Sequence, residues 1–85
     1  MKIIYTKHAL VDKFAILKKH GFKVLKKQIS KTIANPENED RKSDEPKIIA
    51  SRSIDKKHVL RVVYRKESGR IIIITFYPAE KGRYY

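Results

Sequence analysis

Three arginines, two histidines and two terminal tyrosines are the side chains of this chain best suited to hold a phosphate or move a proton. Arg61 and Arg65 stand in one apolar stretch, HVLRVVYR, and Arg83 stands two residues from the last position. A guanidinium keeps its charge and donates in a planar fork, which suits phosphate oxygens. An imidazole can serve as base or acid, which makes His8 and His58 candidates for proton transfer. Tyr84 and Tyr85 can protonate a leaving oxygen or stack on a base. A lysine crowded by other cations becomes a weaker acceptor of charge and can act as a base as well. Such groups together could bind a phosphodiester and move protons at it. Three histidines without clustered carboxylates, and no cysteine, point away from a metal site and from thiol chemistry.

The charge balance agrees with a polyanionic partner. Twenty-one Lys+Arg against nine Asp+Glu give +12. The excess is uneven: residues 1–34 carry nine lysines and one aspartate, residues 35–46 carry two basic and five acidic side chains, and residues 47–85 carry ten basic and three acidic ones. A basic surface binds polyphosphate by releasing counterions, so nucleic acid is the expected partner. Eighty-five residues suffice for one domain with a small core. No stretch approaches the roughly 20 apolar residues of a membrane span, and a cytoplasmic protein is expected.

The elements that must position these groups follow from periodicity. KIIYT (2–6) reads as a strand, and Thr6 can cap a helix with Leu10, Phe14 and Leu17 on its apolar stripe. Gly21 stops it, with His20 at the dipole's negative end. A second helix over about 23–34 carries Leu25, Ile29 and Ile33 on one row and Lys23, Lys27 and Lys31 on another, a lysine stripe suited to an anion. ANPENEDRKSDEP (34–46) has no apolar periodicity and reads as a polar, mobile acidic loop. KIIASRSI (47–54), HVLRVVYR (58–65) and RIIIITFY (70–77) read as strands joined by turns at DKK and KESG. Arg61 and Arg65 share a face of the middle strand with Val59 and Val63, and Leu60, Val62 and Tyr64 occupy the other. The resulting order, β-α-α-β-β-β, predicts an α+β domain with a helical hairpin on one face of an antiparallel sheet. An arginine inside so apolar a strand is costly unless it has a partner or a task. Tyr64 and Tyr77 read as packing residues, and His58 as a surface residue at a strand edge.

This element order, the LRVVYR strand, the hairpin into an isoleucine-rich strand and the Arg-Tyr end resemble the RelE/ParE toxin superfamily. YTKHAL, IANP and VVYR…IIIITFYP…RYY look most like its small relatives with a T-x-H-A opening, near the BrnT toxins. The resemblance covers the whole chain, residues 1–85, as a single domain. It implies the RelE-like two-layer fold, with the first strand beside the last, and a type II toxin: a metal-independent endoribonuclease, often cutting mRNA on the ribosome, restrained by an acidic antitoxin. It carries the family's strand arginine onto Arg61, its terminal tyrosine onto Tyr85 or Tyr84, and a role for the signature histidine onto His8. The family's arginine after the last long strand has no counterpart, since Tyr77-Pro78-Ala79 stands there; Lys81 or Arg83 is the expected substitute. That departure keeps open a non-catalytic alternative, a ParE-like gyrase inhibitor or a basic RNA-binding module.

The expected catalytic set is therefore Arg61, Tyr85, Arg83 and His8. RNA contacts are expected from Lys23, Lys27, Lys31, Arg65, Lys81 and Tyr84, and no cofactor is expected. Pro78, lacking an N–H, is expected to end the last strand, and Gly82 to let Arg83, Tyr84 and Tyr85 fold back over Arg61.

Overall fold

Alternation builds most of the sheet. The computed structural model describes residues 2–19, 21 and 24–82, without the side chain of Asp12. β1 (Lys2–Tyr5) leads into a π-helical segment (His8–Lys13) that continues as α1 (Phe14–Lys19), followed by α2 (Lys26–Ala34). Then come β2 (Asn38–Asp40), β3 (Ile48–Ser53), β4 (His58–Glu67) and β5 (Arg70–Glu80). The sheet order is β1-β5-β4-β3-β2. β2 to β5 pair antiparallel and β1 runs parallel to β5, so the sheet is mixed and five-stranded rather than antiparallel and four-stranded. The α+β class and the layer of helices on the sheet are as expected.

The turns follow residue chemistry. Ser68 and Gly69, with φ of 50° and 76°, make the tight β4–β5 turn, a conformation that a glycine adopts without strain. The Asp55 carboxylate accepts the N–H groups of Lys57 and His58, each at 2.7 Å, which folds the β3–β4 turn. Thr6 caps the first helix as expected: its Oγ1 accepts the Ala9 N–H at 3.2 Å.

One face of the sheet is covered. Ile48 and Ala50 of β3, Leu60, Val62 and Tyr64 of β4, and Ile71, Ile73 and Phe76 of β5 pack against Ala9, Leu17, Val24 and Ile29. Phe14 joins the layers, its ring centroid 4.7 Å from that of Phe76. Full burial of side chains such as Ile29, Leu60 and Phe76 stabilises by about 1.5–3 kcal/mol each.

Several expectations are corrected. The π-helical turn winds more slowly than an α-helix, so Ala9 enters the core while Leu10 and Val11 are 45% and 55% exposed. Leu25 is extended and exposed just before α2, and its N–H donates to Gln28 Oε1 at 2.8 Å. The acidic loop is not wholly irregular. Asn38–Asp40 pairs with the outer edge of β3, and Glu37 fastens the approach by accepting the Ser53 N–H and hydroxyl through Oε1 at 3.0 and 2.8 Å. Pro78 does not end β5, which pairs with β4 as far as Glu80. β1 flanks β5 only over 70–73, so Pro78 lies beyond it, in a stretch with a ladder on one side alone, where a missing N–H is tolerated.

Candidate functional site

The four-isoleucine run contains the feature that builds the site. Tyr64 pairs with Ile73 and Val63 with Thr75, which leaves Ile74 as the extra residue of a β-bulge. Without it, Tyr77 would share the helix-covered face with Ile71 and Ile73. With it, Phe76 takes the core position and Tyr77 emerges on the opposite face, directly across from Arg61. Thr6 fixes this spot: its N–H donates to the Ile73 carbonyl at 3.1 Å and its hydroxyl donates to the Ile74 carbonyl at 3.2 Å. One residue thus ties the start of the first helix to the bulge.

Across the face opposite the helices runs a row of paired residues, Asn38, Ser51, Arg61 and Tyr77. Arg61 is only 9% exposed. Its Nε–H donates to the Tyr77 hydroxyl oxygen at 3.0 Å, and its guanidinium carbon is 5.8 Å from that ring's centroid. Lys13, from the helix that lies along β5, brings its Nζ to 6.0 Å from the same centroid. These distances suit cation–π attraction, so the Tyr77 ring collects two cations at one place. The neighbouring Thr75 hydroxyl is buried with no hydrogen-bond partner among the described residues.

On the other side of Arg61 opens a cleft of about 490 Å³, within the range of small-ligand sites. Its lining includes Asn38, Asp40 and Lys42 from β2 and the turn after it, Ile49 and Ser51 from β3, and Arg61. The Asp40 Oδ1 accepts the N–H groups of Lys42 and Ser43, both at 3.0 Å. The Ser43 N–H first, then the Ser43 hydroxyl and the Lys42 N–H, hold this carboxyl below the usual range, and the Arg61 charge adds to them. Arg41 and Lys42 line the cleft beside Glu39 and Asp40, so Arg61 on one side faces a wall of mixed charge on the other.

The expected residues are divided by this geometry. Arg65 shares the Arg61 face, one alternation beyond Val63, and its Nε–H donates to Glu67 Oε2 at 3.2 Å. His8 is exposed at the start of the first helix and is not part of the cleft lining. His58 meets Asp55 through Nδ1 at 3.0 Å, at the end of the sheet where Lys81 also sits, the Lys81 N–H donating to the Lys57 carbonyl at 2.8 Å. Lys27 and Lys31 are exposed on α2, in the layer on the other side of the sheet from Arg61. Lys23, Arg83, Tyr84 and Tyr85 lie outside the described residues, as does His20. Tyr77, Lys13, Asn38, Asp40 and Ser51 were not among the sequence candidates. A two-residue turn at Ser68-Gly69 with a regular ladder would set Phe76 opposite Arg61 and Tyr77 opposite Leu60, so only the bulge brings Tyr77 across from Arg61. Among the described residues, no three of His, Cys, Asp and Glu gather as a metal-ligand group. No described helix is long and apolar enough to cross a membrane. Comparison of the chain with protein-family models, curated proteins and solved structures gives no match.

Proposed function

We propose that this chain is the toxin of a type II toxin–antitoxin system, with a RelE-like fold: a metal-independent endoribonuclease of the cytoplasm, restrained by an acidic antitoxin. The observation that carries this reading is the Arg61–Tyr77 pair, a nearly buried guanidinium bonded to a phenol beside a cleft, on a chain of net charge +12. Arg61 binds the non-bridging oxygens of the scissile phosphate and stabilises the charge that grows there. The Tyr77 oxygen accepts from Arg61, so its own proton is left to donate to the departing 5′-oxygen. Lys13, beside the same ring, and His8 are the candidates to take the 2′-hydroxyl proton. The products are a 2′,3′-cyclic phosphate and a free 5′-hydroxyl.

A non-catalytic reading is favoured by one observation, that among the described residues no histidine lines the cleft, His8 being exposed at the start of the first helix. In that case the chain is a ParE-like gyrase inhibitor or a basic module that only holds RNA. The two readings separate when purified protein is incubated in EDTA with free RNA and with translating ribosomes, beside a gyrase supercoiling assay. Fragments ending in cyclic phosphate support the nuclease. Intact RNA in both settings overturns it, and loss of supercoiling then assigns the gyrase reading.

A further inference from the structure

The cleft between β2 and Arg61 carries a feature that a phosphate grip alone does not need. One wall bears Asp40, whose Oδ1 accepts the Lys42 and Ser43 N–H groups. A carboxylate accepts only from N–H or O–H donors, which a phosphodiester lacks, and Arg41 and Lys42 share its wall. Ile49 supplies apolar surface in the same cleft, and Asn38 and Ser51 add neutral polar groups. Arg61 at the boundary would hold a backbone phosphate, which leaves the cleft itself for the base of an adjacent nucleotide.

We propose that the cleft lined by Asn38, Asp40, Ile49, Ser51 and Arg61 is a base-reading subsite that takes a nucleobase with an exocyclic amino group and disfavours uracil, with the Asp40 carboxylate as the acceptor. Cytosine, adenine and guanine each present an amino donor, whereas uracil presents the O4 acceptor where cytosine has N4–H₂. A carboxylate at the position-4 edge accepts from the cytosine amino group but faces the O4 lone pairs of uracil, which leaves it only the neighbouring N3–H. The inference rests on the RNA reading above and gives it a sequence preference.

The test uses the full chain and two 2′-O-methyl hexanucleotides, all-cytidine and all-uridine, which lack the nucleophilic hydroxyl and are not cleaved. Their affinities are read by fluorescence anisotropy at one salt concentration. The cytidine hexamer is expected to bind about tenfold more tightly, the size of one hydrogen bond to a charged acceptor. Asp40→Asn keeps an oxygen for the Lys42 and Ser43 N–H groups and turns an amide NH₂ outward. It is expected to bring the two affinities within about twofold or to reverse them. Equal affinities in the wild type, or a cytidine preference that survives Asp40→Asn, overturn the subsite while leaving RNA binding standing. Failure of both hexamers to bind overturns the subsite and the RNA reading together.

Discussion

Tyr77 illustrates how much of a site depends on one residue's facing. Its hydroxyl accepts from Arg61 Nε, and its ring lies near two cations. Removing the hydroxyl alone, Tyr77→Phe, is expected to lower RNA cleavage by roughly 10²-fold, the low end of what a general acid contributes. Stability should fall by about 1 kcal/mol for the lost hydrogen bond, which denaturant unfolding measures. A variant that cleaves at the wild-type rate would remove Tyr77 from the chemistry and return attention to Tyr84 and Tyr85. Arg61 was legible in the sequence because a charge in an apolar strand needs a reason. Tyr77 was not, because its face depends on an extra residue inside four identical isoleucines, where no polar alternate marks the phase.

At the scale of elements, the bulge and the acidic edge strand decide the site's shape. Thr6 joins the helix start to the Ile73 and Ile74 carbonyls, so Thr6→Val loses a cap and a tie to the bulge at once. It is expected to cost about 1–2 kcal/mol and to lower cleavage at temperatures where the variant remains folded; a loss of stability with unchanged cleavage would show that the bulge holds Tyr77 without Thr6. Strand β2 escaped the sequence reading because Asn, Glu and Asp have poor strand propensity, and the pairing is supplied by the free edge of β3. Acidic side chains also suit an edge strand, since they discourage pairing with another chain. The long strands and both turns were legible, because alternation and turn chemistry are local. The placement of Leu10 was not, because a π-helical turn changes the phase without changing the residues.

Acid should loosen the same elements. Glu37 is held below the usual carboxylate range, chiefly by the Ser53 hydroxyl and then the Ser53 N–H, and Asp55 chiefly by the Lys57 N–H. A lowered folded-state value adds stability above the unfolded value of about 4 and loses it as pH falls through the folded value. Glu37→Gln with Asp55→Asn should therefore unfold at a lower temperature than wild type at pH 7, with the two thermal midpoints converging below about pH 4. A gap that persists unchanged at low pH would contradict the role given to these carboxylates.

For the whole molecule, charge and fold divide the work. The basic residues spread over both layers would make the proposed RNA binding salt-dependent, while the face opposite the helices concentrates Arg61, Tyr77 and the cleft in one place. If about six phosphates are neutralised, affinity should fall by roughly 10³-fold between 50 and 200 mM salt; a salt-independent affinity would contradict electrostatic binding. In the proposed function Arg61 stabilises the transition state of metal-free RNA cleavage. The cleavage rate in EDTA of wild type against Arg61→Ala tests that role, with both proteins shown to be folded by circular dichroism at the assay temperature. The prediction is cleavage by the wild type and a rate at least about 10²-fold lower for the variant; equal rates, or no cleavage by the wild type, would contradict it.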